Sequence, residues 1–172
     1  MLRLSLTFSE LPILSLRTGS EVAILRRPII NPDNLKIEGF YVDDIYDKKR
    51  TLILLVQDIR EILANGLAIN DHEVLASPHE LHRHQKILEN NISLLNKPVV
   101  TASNKKIGKL SEYAVDDNSF YIQKLYVSQS LLRNITGSNL ILDRNQIVDV
   151  SNSKIVVKDL EALVSAGAPQ PA

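Results

Sequence analysis

The sequence has no cysteine, no excess charge of either sign and no long apolar run. Without cysteine the chain can form no disulfide, no thiolate nucleophile and no Cys-ligated zinc site. This absence fits the cytoplasmic location that we predict. Lysine and arginine total 20, as do aspartate and glutamate, so the formal net charge is zero. Because nucleic-acid binders usually carry a basic excess, this balance argues against them but leaves room for a local basic patch.

The N-terminal residues 1–14 also lack the features of an export signal. They contain only short apolar stretches and no small-residue cleavage pattern. Elsewhere no apolar run approaches the roughly 18 residues that indicate a membrane span. We therefore expect no membrane span. The length of 172 residues accommodates one domain or two small ones.

The sequence contains an internal repeat, in which one segment occurs in two divergent copies. Residues 97–127 resemble residues 12–42, with a shared proline near the start and strands that match at an offset of 85 residues. Later segments match at an offset of 88, so we expect residues 128–139 to form a longer loop. The identical pairs near the end of the segment are Ile37 and Ile122, Tyr41 and Tyr126, and Val42 and Val127.

Each copy predicts five or six short strands, mainly with period-2 alternation and tight turns. Many short strands of this kind favour a small antiparallel barrel or a strongly bent sheet. Closure into a barrel would remove unpaired edges. An N-terminal strand is predicted at residues 2–8, and the six predicted strands of the first copy that follow it are residues 13–16, 22–30, 35–42, 51–56, 59–63 and 67–70.

Residues 51–70 are ambiguous when taken alone, because they contain good helix formers and end in Asn65-Gly66 like a helix C-cap. The corresponding later segment, residues 146–157, is β-branched and alternating, which favours strands. We therefore predict strands in both copies. Asn65-Gly66 then becomes a two-residue hairpin turn of type I′.

A linker helix is predicted over residues 77–91. Ser77 caps it, Pro78 occupies its first turn, and Glu80 completes a capping box. The helix runs to about Glu89, and Asn90-Asn91 ends it. The predicted division of the chain is a first barrel over 1–76, the linker over 77–91, a second barrel over 92–164, with one helical turn at 160–164, and a disordered tail over 165–172.

The repeated unit resembles the PRC-barrel domain, which is named for the photosynthetic reaction-centre H subunit and also occurs in a bacterial ribosome-maturation factor. The resemblance lies in Lys105-Lys106-Ile107-Gly108-Lys109-Leu110, in Phe120-x-Ile122-x-x-Leu125-x-Val127, and in the apolar strands that follow. The first copy departs from the pattern, since Ala23 stands where the second has Gly108. The resemblance implies two tandem PRC-type β-barrels, a role in docking or assembly, and no shared catalytic residues.

Three groups of residues invite a binding or metal site. In the charged loop 43–50, Asp43, Asp44 and Asp47 suggest a metal and Lys48 to Arg50 an anion. A solvated loop is the more economical interpretation. His79, His82 and His84 contain no i, i+4 pair, so a solvated helix face is favoured over a metal site. We expect no catalytic, cofactor or metal residue and no cofactor.

We therefore favour a non-catalytic module that binds protein partners, with Tyr41, Tyr126, Tyr113 and Tyr121 as candidate contacts or core-capping residues. A second hypothesis is binding of RNA or a ribosomal particle. A third is an enzyme, built on Asp58, Arg60 and Glu61. A structural salt bridge explains that cluster better, because the other copy does not retain it. A fourth hypothesis is a scaffold in which the two barrels pair only with each other or with another subunit, and a homo-oligomer is possible. The hypothesis of binding to RNA or a ribosomal particle depends on nine basic residues, namely Arg26, Arg27, Lys48, Lys49, Arg50, Lys97, Lys105, Lys106 and Lys109.

Overall fold

The structure, a computed structural model, describes residues 1–129 and 140–159. These residues form two β-sheets and one short helix, α1 (Gln85–Asn90), with several 3-10 turns. None of the described helices is long and apolar enough to cross a membrane. In chain order the strands are β1 (Leu2–Leu4), β2 (Pro12–Ser15), β3 (Glu21–Asn31), β4 (Lys36–Asp44), β5 (Thr51–Leu55), β6 (Ile59–Leu63), β7 (Gly66–Ile69), β8 (Pro98–Thr101), β9 (Lys106–Asp116), β10 (Ile122–Gln129), β11 (Leu140–Asp143), β12 (Ile147–Val150) and β13 (Ile155–Val157).

The two sheets have the same strand order. The first is β5-β4-β3-β2-β7-β6, and the second is β11-β10-β9-β8-β13-β12. Neighbouring strands are antiparallel except for β2–β7 and β8–β13, which are parallel. The prediction of a mainly β fold is confirmed. The expectation of purely antiparallel pairing is wrong, because the last strand of each set lies beside the first and runs in the same direction.

The pairing register also agrees between the sheets. Gly39 pairs with Leu55, and Lys124 pairs with Asp143, which lie 85 and 88 residues further along the chain. We call residues related by these offsets, or by 86 at the shared proline, matched residues. Left-handed backbone with positive φ recurs at three matched pairs: Gly19 and Asn104, Leu35 and Phe120, and Glu10 and Asn96.

The edge strands of each sheet are consecutive in the chain. A 3-10 turn connects β5 to β6 (Val56–Asp58), and another connects β11 to β12 (Arg144–Gln146). Within residues 1–129 and 140–159, no hydrogen-bonded ladder joins either of these strand pairs. Closure of the sheets into barrels therefore stays a prediction.

The ambiguous segment 51–70 forms β5, β6 and β7, as predicted. The predicted Asn65-Gly66 turn is wrong. Leu63 pairs with Gly66, so the loop is Ala64-Asn65, and none of these residues has the positive φ that a type I′ turn requires. Gly66 is instead favoured by packing, because an added Cβ would lie 2.8 Å from the carbonyl oxygen of Pro12.

The N-terminal segment differs from its prediction as one strand. Only β1 is extended, and residues Ser5–Phe8 form a 3-10 turn that carries Phe8 into the core. In addition, β1 pairs with β9 of the second sheet, where Leu2 lies opposite Asp116. The N-terminal strand therefore belongs to the second sheet, although residues 12–69 build the first.

The linker is a series of turns rather than one helix. Two 3-10 turns, Pro78–Glu80 and His82–His84, precede α1, because the backbone leaves the helical region at Leu81 (ψ 60°). The predicted start is wrong, because the helix begins at Gln85, but the predicted capping box is present on the first 3-10 turn and the predicted end is confirmed. The Glu80 carboxylate accepts the Ser77 N–H at 2.8 Å, and Asn91 ends α1 with a left-handed backbone.

Two reciprocal backbone hydrogen bonds join the sheets. The Ile37 N–H donates to the Phe120 carbonyl at 2.9 Å, and the Ile122 N–H donates to the Leu35 carbonyl at 2.9 Å. Donors and acceptors are matched residues, so the two bonds join the sheets in the same way from opposite sides. Around this joint the rings of Phe8, Phe40 and Phe120 pack with centroids 5.6, 6.3 and 6.4 Å apart. A single cluster of buried side chains spans both sheets.

Some predictions lie outside the described residues. They are the part of the long loop at 130–139, the helical turn at 160–164 and the disordered tail at 165–172. The division into 1–76, 77–91 and 92–164 stays a prediction.

Replacing Phe120 with alanine tests whether the joint stabilises both sheets. Removing this buried ring is expected to lower the free energy of unfolding by about 3–5 kcal/mol. The loss should appear in one cooperative transition, measured by urea denaturation with probes in each sheet. The control Leu16→Ala removes an exposed side chain (59% exposed) and should change stability by less than about 0.5 kcal/mol. Separate transitions for the two sheets in the unsubstituted protein would contradict this prediction.

Candidate functional site

The acidic residues of the loop 43–50 are held by separate protein groups. The Arg26 guanidinium donates to the Asp43 carboxylate at 2.6 and 2.7 Å, and Asp47 accepts the Lys49 N–H at 3.1 Å. Asp44 points into the protein and is 2% exposed. No cluster of three metal-ligating side chains occurs in the described part of the chain. In the structure, the three aspartates of this loop therefore form turns and ion pairs with neighbouring protein groups.

Asp44 forms a buried polar contact with His72. The His72 Nε2 lies 3.1 Å from the Asp44 Oδ1, which also accepts the Tyr46 N–H at 2.9 Å. Burial alone raises the pKa of the Asp44 carboxyl. The Tyr46 N–H, His72 and Arg50 outweigh burial and hold the net pKa below its usual value. The ionised carboxylate of Asp44, at the end of β4, therefore makes a stabilising contact with the His72 ring.

Replacing Asp44 with asparagine tests this contact through the pH dependence of stability. A carboxyl whose folded pKa is lowered adds stability above its unfolded pKa of about 3.9 and loses it as pH falls through the folded pKa. Asp44→Asn should cost about 1–3 kcal/mol at pH 7 and less at lower pH. Urea denaturation at several pH values measures this difference. The exposed control Asp33→Asn should be near neutral, and a pH-independent loss for Asp44→Asn would contradict the assignment.

The three linker histidines lie on the two 3-10 turns that precede α1. His79 and His82 are exposed and His84 is half-buried. The helix predicted to carry them is absent, so the helical spacing argument no longer applies to them. They are not part of any three-residue metal-ligand group within the described residues.

Several predicted basic contacts are engaged within the protein. Arg27 lies 4.1 Å from the ring centroid of Tyr41 and donates to the side chain of Asn91. Lys97 is buried. The remaining lysines of the second copy, Lys105, Lys106 and Lys109, are exposed and make no salt bridge to a described residue. The nine basic residues therefore differ in exposure and in their contacts within the protein. The lysines at 48–49 and Arg50 are also exposed.

The tyrosines proposed as contacts have mainly internal roles. Tyr121 has the Arg144 guanidinium 4.2 Å from its ring centroid and the Lys36 ammonium 5.8 Å away. Tyr113 is 3% exposed, and burial raises the pKa of its hydroxyl. Tyr126 is half-buried on β10.

The charged cluster considered for an enzyme borders a groove at the joint. Arg60 Nε donates to the Asn70 side chain at 3.0 Å, and Glu61 is exposed beside it. Asp58 lies in the 3-10 turn before β6. The groove has a volume of about 500 Å³. Arg60 and Glu61 line it together with Arg3, Lys36, Val56, Gln57, Ile59, Ile62, Asp117, Asn118, Ser119 and Phe120.

A difference between matched edge strands was missed by the sequence reasoning. On β5, Ile53 exchanges two backbone hydrogen bonds with Ala76, at 2.8 and 3.0 Å, and Ile53 is fully buried. The matched residue on β11 is Ile141, which is 53% exposed and has no backbone partner on this edge among the described residues. Among the described residues, the outer edge of β11 therefore lacks the backbone partner that Ala76 gives to β5.

The geometry of β11 defines which groups face outward. Tyr126 pairs with Ile141 as Tyr41 pairs with Ile53, so the N–H and carbonyl of Ile141 point away from β10. An edge of this kind offers one donor, one acceptor and an apolar side chain to an added strand. The offset of 88 relates Ile141 to Ile53 and Ala76 to Val164, and Val164 lies outside the described residues.

Neither a scan against models of known protein families nor a search of curated proteins finds a match to this sequence.

Proposed function

We propose that the protein is a non-catalytic interaction or assembly module made of two duplicated units of the PRC-barrel type. The identical strand order and the matched pairing registers support the duplication. The left-handed residues at matched positions support it as well, because such strained positions are rare for bulky residues. Closed barrels, a cytoplasmic location and membership of the PRC-barrel family are parts of the same proposal.

The observation that carries the proposed function is the outer edge of β11, where Ile141 is exposed and has no backbone partner within residues 1–129 and 140–159. The occupant we infer is an extended segment of a protein partner that adds to this edge. The first sheet supplies the pattern for it, because the backbone at Ala76 exchanges two hydrogen bonds with Ile53 and buries that side chain. A partner segment on β11 would pair with Ile141 in the same way and cover its side chain.

The charged residues once considered for catalysis support a structural role instead. Arg60 is hydrogen bonded to Asn70, and its matched residue in the second sheet is Val148.

A second candidate function is binding of RNA or a ribosomal particle through the second sheet. The observation that favours it is a set of exposed lysines around the turn between β8 and β9, including Lys105, Lys106 and Lys109. Binding through phosphate contacts should weaken steeply as salt is added. Retention of RNA at high salt would contradict this mechanism.

The proposed edge is tested with Ile141→Pro and the matched control Ile141→Val. Proline removes the outward N–H of an edge residue while leaving the inward ladder intact, and valine keeps both the N–H and the apolar side chain. Full-length variants are immobilised and exposed to a lysate of the source cells. A stoichiometric partner recovered by the unsubstituted protein should be retained by Ile141→Val and reduced about tenfold or more by Ile141→Pro.

Hydrogen exchange in the isolated protein gives the result that could contradict the proposal. The Ile141 amide should exchange its hydrogen rapidly when no partner is present, because no described residue pairs with it. Strong protection in the isolated chain would show that another part of the chain, or a second copy, already covers the edge, and would overturn the proposal. Sedimentation then separates these two explanations. Equal partner recovery by the proline and valine variants would also overturn it.

A further inference from the structure

Lys97 is a buried cation without a carboxylate partner. Lys97 directly precedes β8 in the chain and is 8% exposed. Its Nζ donates to the carbonyl of Asn152 at 2.7 Å, and no described carboxylate lies within salt-bridge distance of it. A buried ammonium group that has only one neutral acceptor is costly, because it gives up most of its hydration. Burial accordingly lowers the pKa of Lys97.

The same lysine lines an open cavity of about 340 Å³. The polar residues that share this cavity are Asn91, Ser93, Asn96, Asn152 and Ser153, and its lining contains no aspartate or glutamate. Side-chain amides and hydroxyls donate hydrogen bonds to anions. The cavity therefore combines one buried positive charge with several neutral donor groups.

The matched position in the first sheet has different chemistry. Leu11 accepts the Leu25 N–H through its carbonyl at 2.8 Å, and Lys97 accepts the Leu110 N–H in the same way at 3.0 Å. The backbone is thus the same at both positions. Leu11 packs its apolar side chain against the core. Since a leucine occupies the matched position with the same backbone hydrogen bond, the fold does not require a buried lysine here.

We propose that the cavity beside Lys97 binds a phosphate group. A tetrahedral oxyanion fits a site that offers one ammonium group and neutral donors, and it supplies the negative charge that the protein omits. The phosphate is held next to the turn between β12 and β13, which contributes Asn152 and Ser153. This site is independent of the β11 edge and does not rest on the proposed partner.

The proposal is tested by titrating the full-length protein with inorganic phosphate and, separately, with O-phosphoserine. NMR of the lysine side chains follows binding at Nζ directly. We expect saturable shifts at Lys97 and a rise of its pKa when phosphate binds, because a nearby anion favours the charged amine. Binding of both probes points to any phosphate monoester or ion, and binding of the ion alone restricts the site to free phosphate.

Lys97→Met keeps the length and apolar character of the side chain and removes its charge. This variant should fold at least as stably as the unsubstituted protein and should lose phosphate affinity by about tenfold or more. The control Lys106→Met removes an exposed lysine outside the cavity lining and should bind phosphate within about twofold of the unsubstituted protein.

A second variant keeps the proposal testable if Lys97→Met does not fold. Asn96→Asp places a carboxylate in the cavity lining, and this charge should exclude phosphate while pairing with Lys97. Phosphate that binds Lys97→Met or Asn96→Asp as tightly as the unsubstituted protein would overturn the proposal. So would the absence of any saturable shift at Lys97, which would leave its ammonium group as a structural donor to Asn152.

Discussion

The fold depends on two backbone hydrogen bonds that cross between the sheets, from Ile37 to Phe120 and from Ile122 to Leu35. Both acceptor residues have a left-handed backbone. That conformation costs a bulky residue about 1–3 kcal/mol, so it persists only where the surrounding contacts impose it. Here both side chains are buried in the shared core, and Phe120 packs against Phe8 and Phe40. The burial offsets the strain and fixes the approach of the sheets.

Crossed connections reinforce this joint. The N-terminal strand β1 pairs with β9 of the second sheet, while α1, which precedes the second set of strands, contacts β3 of the first. Each sheet is thus contacted by the segment that leads into the other one. The consequence is one continuous core, and differences between matched positions become informative about function. Ile141 and Lys97 are such differences, because Ile141 is exposed where its matched residue Ile53 is buried, and Lys97 places a charge where its matched residue Leu11 is apolar.

Local patterns and the internal repeat predicted most of the strands. Residues 59–63 look helical alone, and only their β-branched counterpart in residues 147–150 identified them as a strand. The repeat could not predict the joint, because no local pattern marks Leu35 and Phe120 as neighbours. Nor does composition show that Gly66 is placed by contact with Pro12 rather than by turn geometry. Lys97 was grouped with exposed lysines because charge is visible in a sequence and burial is not.

Hydrogen exchange at the Ile37 and Ile122 amides tests the central claim most directly, namely that the joint holds the two sheets together as one cooperative structure. Both amides should exchange only through global unfolding, with the same free energy as the core amides of β3 and β9. Phe120→Ala should lower all of these values together. Exchange of the two joint amides well before the strands on either side, or unequal values for the two sheets, would contradict this account.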